Sequence, residues 1–151
     1  SFGIAIAKPS TPISYLAEYT EHLLEEAKDY LDKNEKGEIT HQKDAISLFG
    51  ETAKWSSYKE VFEKLDEAFK PFENKEINTA FLYRLLEFCQ MSNDSKKDPL
   101  ATMWKSKLRY SFSRNNDNLG ENIYKILDEK IDKNPSETKM FLSEFIYKRR
   151  K

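Results

Sequence analysis

Residues 56–69 read Ser56-Ser57-Tyr58-Lys59-Glu60-Val61-Phe62-Glu63-Lys64-Leu65-Asp66-Glu67-Ala68-Phe69. Tyr58, Val61, Phe62, Leu65 and Phe69 recur at the three- and four-residue spacing that lines one face of an α-helix, with Ser56 or Ser57 placed to cap it. The same period continues toward the C-terminus. Phe81, Leu82, Leu85, Leu86 and Cys89 mark a second helix, and Leu100, Met103, Trp104, Leu108 and Phe112 a third. Ile123, Ile126, Leu127 and Ile131 mark a fourth, and Met140, Phe141, Phe145 and Ile146 a fifth. Asn134-Pro135-Ser136-Glu137 offers the last helix a cap, a proline at its first position and a glutamate at its third. Connections centred on residues 71–77, 93–98, 115–118 and 134–135 are short, which predicts antiparallel neighbours in a compact bundle over residues 52–148.

Upstream the period differs. Ser1-Phe2-Gly3-Ile4-Ala5-Ile6-Ala7-Lys8, closed by Pro9, reads as a buried strand. Ser10 or Thr11 then caps a helix with Pro12 at its first position, and Ile13, Leu16, Ala17, Leu23, Leu24, Ala27 and Leu31 carry it to about residue 33. Residues 34–43 are polar and read as a loop, and Asp44-Ala45-Ile46-Ser47-Leu48-Phe49 reads as a second strand stopped by Gly50. A strand must pair its backbone groups with a neighbour, so a chain that opens on one is expected to begin inside a larger protein. The fold class is therefore mainly α, with two short strands and a helix ahead of an antiparallel helical bundle.

The length of 151 residues suits one domain or two small units. Ten Phe, eight Tyr and two Trp, each able to bury about 150–250 Å², make a packed core feasible despite a mean hydropathy of -0.79. One cysteine forms no internal disulfide, and two distant histidines give no zinc spacing. These features read as a reducing, cytoplasmic location. No apolar run approaches the ~20 residues of a membrane span. The net charge of -1 hides an uneven split, with 10 Lys/Arg against 16 Asp/Glu in residues 1–80 and 15 against 10 in residues 81–151. The basic half is compatible with a protein or nucleic-acid partner.

Cys89 lies on an apolar helix face and reads as core packing. Glu21, Glu25, Glu26, Asp29 and Asp32 read as a solvated helix face rather than metal ligands. The most suggestive polar feature is Arg84, Lys96, Lys97, Lys105, Lys107, Arg109 and Arg114, seven cations against three acids over the same stretch. Lys105 and Arg109, four apart, share a face read as opposite Trp104 and Leu108, suited to phosphates or an acidic partner, with plain solubility as the competing reading. Lys148-Arg149-Arg150-Lys151 reads as a frayed basic end.

Two sets of residues carry a family resemblance. Strand 1–7, the helix ending Leu-Leu-Glu-Glu-Ala-Lys at 23–28, and Lys43-Asp44-Ala45-Ile46-Ser47-Leu48-Phe49-Gly50 resemble the end of a GGDEF-type palm. Glu51-Thr52-Ala53-Lys54-Trp55, Thr79-Ala80-Phe81-Leu82-Tyr83-Arg84-Leu85-Leu86-Glu87, Met103-Trp104-Lys105-Ser106-Lys107-Leu108-Arg109-Tyr110 and Ser113-Arg114-Asn115 extend it. Together they resemble the C-terminal part of the large subunit of Csm-type (type III-A) CRISPR effector complexes.

The resemblance implies that residues 1–50 close the second palm domain and residues 51–151 form a helical C-terminal domain beside the small subunit. It implies a parent nucleotidyltransferase that binds ATP and a divalent metal and makes cyclic oligoadenylates on target RNA binding, with a single-stranded DNA nuclease domain. The Gly-Gly-Asp-Asp loop and the HD nuclease are absent from these 151 residues, so the chain alone is not expected to catalyse. Lys28 matches the position that reaches the nucleotide triphosphate and Lys43 that of a second cation; Lys28 reads equally as a surface lysine. Lys105, Lys107, Arg109 and Arg114 are the expected face toward the small subunit and the guide or target RNA. The alternatives are a free-standing helical adaptor and the end of a diguanylate cyclase-like protein, the latter leaving the last hundred residues unexplained.

Overall fold

The computed structural model describes residues 1–33, 36–41, 44–73, 77–115 and 119–150. The chain divides into two compact units, Ser1–Lys59 and Glu60–Lys151. Helix predominates, as expected, accompanied by a small three-stranded sheet.

In the first unit, β1 (Phe2–Ile4) runs parallel to β4 (Ala45–Leu48), with Gly3 opposite Ser47. The crossover between them includes α1 (Ile13–Asp29), which lies against both strands. β4 then turns back into β5 (Glu51–Lys54) through Phe49 and Gly50, both at positive φ (54° and 76°), the backbone of a tight two-residue hairpin. Ser47 and Thr52 hydroxyls meet at 2.7 Å across that hairpin. Every residue of β4 is buried, the pattern of a strand between two neighbours.

Several expectations for this unit are corrected. The strand at residues 1–8 is shorter, and it is not buried: Phe2 is 58% and Ile4 42% exposed. β1 is an edge strand, and only the Gly3 side meets α1; an apolar run does not reveal whether both of its faces are covered. α1 ends at Asp29 rather than near residue 33, because Leu31–Lys33 leaves as β2 and pairs antiparallel with β3 (Ile39–His41) inside the expected loop. Pro12 occupies the N-cap position of α1 and no side chain caps the helix, so Ser10 and Thr11 do not cap it. Instead the Thr11 N–H donates to the Lys8 carbonyl.

The second unit takes in α2 (Trp55–Phe69) from Glu60 onward, α3 (Thr79–Asp94), α4 (Trp104–Asn115), α5 (Glu121–Lys133) and α6 (Pro135–Arg149). α2 starts at Trp55, directly after β5, so Ser56 and Ser57 lie inside it and do not cap it. α3 packs against α4, α5 and α6. The core joins Val61, Leu65 and Phe69 to Leu82, Leu85 and Cys89, to Trp104 and Leu108, and to Leu127, Ile131 and Phe141. Cys89 is thus core packing, as read.

Polar groups close the helix ends. Asn78 Oδ1 accepts from the Ala80 N–H at 2.8 Å, a cap for α3, and Asp98 does the same for the 3₁₀ turn Pro99–Met103. Pro135 takes the first position of α6 as expected, but Asn134 makes no side-chain cap. Buried hydroxyls satisfy the C-terminal carbonyls of α5 instead, with Ser92 donating to Ile131 and Thr138 to Lys130.

Gly3 sets the approach of α1 to the sheet. A Cβ on Gly3 would lie 2.5 Å from the Leu24 nitrogen and 2.9 Å from the Leu23 carbonyl carbon, both rigid backbone. Gly3→Ala is expected to cost about 1–3 kcal/mol by overpacking, read as a lower urea midpoint and faster amide exchange at Ile46 and Ala53. Unchanged exchange there would show that α1 does not depend on this contact.

Candidate functional site

The four cations expected to form one partner face separate into two sets. Lys105 and Arg109 share a face, as expected, but it is directed at α5. Lys105 Nζ lies 3.7 Å from Asp132, and Arg109 Nη1 donates to both Glu121 oxygens at 3.0 and 3.2 Å. The Arg109 guanidinium also stacks 4.5 Å from the Tyr124 ring centre, and its pKa is raised by the Glu121 hydrogen bond and charge. Lys105 is not opposite Trp104; its ammonium lies 5.5 Å from the buried indole's ring centre. Consecutive helical residues differ by only about 100°, so a long lysine can fold back over its neighbour.

Lys107 takes the other side of α4, beside α3, and Arg114, two turns on, shares its side of the helix. A groove of about 540 Å³ there is lined by Arg84, Glu87, Ser106, Lys107 and Tyr110, over buried Phe88 and Ser111. Arg114 bonds the Tyr110 hydroxyl and sits over its ring. Among the described residues neither Arg84, Lys107 nor Arg114 is paired with a carboxylate.

A third polar region overturns the frayed-end reading for residues 148–150; Lys151 lies outside the described residues. α6 continues through Arg149, whose Nη2 donates to the Ile77 carbonyl at 2.7 Å, and Arg150 Nη2 donates to the Tyr83 hydroxyl at 2.6 Å. These cations border a cleft of about 1000 Å³ between α2, the start of α3 and α6, with Phe62, Asp66 and Phe145 in its walls. Lys148 pairs with Glu144 at 2.8 Å, which raises the lysine pKa. Arg149 Nη1 is buried with no hydrogen-bond partner among the described residues. Sequence spacing gave no sign of this region, because Ile77 and Tyr83 lie some seventy residues from the arginines they hold.

In the first unit, Lys28 is exposed on the last turn of α1, a position that favours a cation at the helix C-terminus. Lys43 lies outside the described residues. No group of three or more His, Cys, Asp or Glu suited to a metal occurs among the described residues, and no described helix is long and apolar enough to cross a membrane. No protein-family model matches the chain, and no curated protein matches it.

Lys130 is a buried cation at the edge of the core, 5% exposed. Burial, then the Lys64 charge, lowers its pKa, opposed by Glu129 and Glu60. Below the lowered value the ammonium is charged in both folded and unfolded chains and the burial penalty is complete. It is relieved as pH rises between the folded and unfolded values, where the unfolded chain holds more protons. Lys130→Met is therefore expected to raise Tm at pH 7, by roughly 4–8 °C for each kcal/mol relieved, and to remove that alkaline gain. An unchanged Tm at pH 7 and pH 10 would show that Lys130 carries no burial cost.

Proposed function

We propose that this chain is the C-terminal part of the large subunit of a type III-A CRISPR effector complex. Its first unit is the end of a palm, and its second an antiparallel helical domain that docks the small subunit near guide and target RNA. The observation that carries the reading is the order of elements: a parallel β1–α1–β4 crossover, an antiparallel hairpin into β5 and then five helices. The sequence segments that resemble the family fall on those elements: 43–50 reaches from just before β4 to its turn, 51–55 spans β5, and 79–87 and 103–110 lie on α3 and α4.

In this reading the parent palm binds ATP with a divalent metal and makes cyclic oligoadenylates when target RNA is bound. Lys28 and Lys43 supply point charges toward the triphosphate. Lys107 and Arg114, which lack a carboxylate partner among the described residues, take the docking role ahead of Lys105 and Arg109. The adaptor reading has one observation in its favour, that the helical core is drawn wholly from residues 61–146.

Lys28→Ala in the full-length subunit is expected to weaken ATP binding roughly tenfold, the order of one charge-assisted hydrogen bond, and to lower oligoadenylate output. Equal affinity and output would assign Lys28 to solvated surface, and an upstream gene segment without a Gly-Gly-Asp-Asp loop would defeat the reading itself. Where Lys107 and Arg114 meet RNA phosphates, removing either cation lowers the salt slope of complex formation by about 0.7–0.9, measurable with Lys107→Glu and Arg114→Glu.

A further inference from the structure

α4 and the 3₁₀ turn before it place Leu100, Met103, Lys107, Tyr110 and Arg114 at intervals of three, four, three and four residues. That interval is a single longitudinal stripe, the spacing with which one helix meets another. Leu100 is 73%, Met103 52% and Tyr110 59% exposed, and Lys107 and Arg114 are exposed with them. The opposite side of the same helix is already committed to the core through Trp104, Leu108 and Phe112. The helix therefore carries two apolar sides, and only one of them is covered by its own unit.

The charge beside the uncovered stripe is one-sided. Lys105 and Arg109 are taken up by Asp132 and Glu121 on α5. Lys107, Arg114 and neighbouring Arg84 have no carboxylate partner among the described residues, and Glu87 is the one acid among the residues lining the adjoining groove. Leu100 and Met103 offer no ring on which a nucleic-acid base would stack, and the one ring of the stripe, Tyr110, already carries the Arg114 guanidinium, whereas the stripe suits the apolar side of a helix laid along a groove.

We propose that this stripe docks an acidic amphipathic helix of a protein partner. The partner's apolar side chains cover Leu100, Met103 and Tyr110, and its carboxylates meet Lys107, Arg114 and Arg84. The inference deepens the docking role proposed above and rests on that role, not on the parent's nucleotide chemistry.

The test titrates the full chain into a fluorescent 21-residue helical peptide of three heptads, with Leu at the a and d positions and Glu at e and g. Controls are the same peptide with Lys for Glu and hexauridylate. The acidic peptide is expected to bind with a micromolar Kd, at least tenfold tighter than the Lys peptide. Met103→Ser with Tyr110→Ser weakens it at least tenfold while the circular-dichroism melt is unchanged. Lys107→Glu with Arg114→Glu reverses the preference toward the Lys peptide. Equal binding by variants and wild type, no reversal, no saturable binding, or tighter binding of hexauridylate with displacement of the peptide each overturns the proposal. Should the Met103–Tyr110 variant of the full-length subunit enter the effector complex like wild type, the stripe fails and the docking role stands. Should the wild-type subunit not assemble at all, the docking role fails.

Discussion

The helical unit depends on the burial of α3. Phe81, Leu82, Leu85, Phe88, Cys89 and Ser92 are all buried and form one continuous face along the helix. That face is where the other helices converge, since α4, α5 and α6 all pack against α3. α4 turns Trp104, Leu108 and Phe112 into the core, and its other sides are left to solvent or to polar contacts with α5. The exposed Leu100, Met103 and Tyr110 and the paired Lys105 and Arg109 are two results of that arrangement on one helix.

The first unit is held by a shorter-range constraint. Gly3 lets the backbone of β1 approach the backbone of α1, and this close contact leaves room for little else on that side of the strand. Leu23 and Ala27 then reach the core, while Ile13 and Tyr15 at the other end of the helix remain exposed. The hairpin from β4 to β5 turns on Phe49 and Gly50 in the left-handed region, a conformation natural for glycine and uncommon for phenylalanine.

Polar groups in the helical unit act mostly as local fasteners. Ser92 and Thr138 satisfy carbonyls at the end of α5, and Arg149 ties α6 to the segment before α3 through Ile77. The exposed ion pairs on α2 and α5 sit in high-dielectric surroundings and contribute little to stability. Lys130 is the exception in kind, since it is buried and the Lys64 charge acts with that burial to lower its pKa. Electrostatics here therefore orient surfaces more than they hold the fold, and Arg84, Lys107 and Arg114 are among the exposed cations without a carboxylate partner among the described residues.

The sequence by itself determined the helices and the core of the central strand β4. Periodic Val61, Leu65 and Phe69, or Leu82, Leu85 and Cys89, specify a helix and its buried side from local spacing alone, and Ala45–Leu48 is short, apolar and stopped by Gly50. It also marked the basic segment around α4, because charge composition is local. Only tertiary structure decided that α1 stops at Asp29, since Leu31–Lys33 trades helical hydrogen bonds for pairing with Ile39–His41. The exposure of Phe2 and Ile4 was likewise set by the absence of cover on one side of an edge strand. The division of the cations followed the same rule. Lys105 and Arg109 find carboxylates on α5, and Arg149 and Arg150 find Ile77 and Tyr83. Partners distant in the chain meet only after the helices pack, and a periodicity of three or four residues carries no information about them.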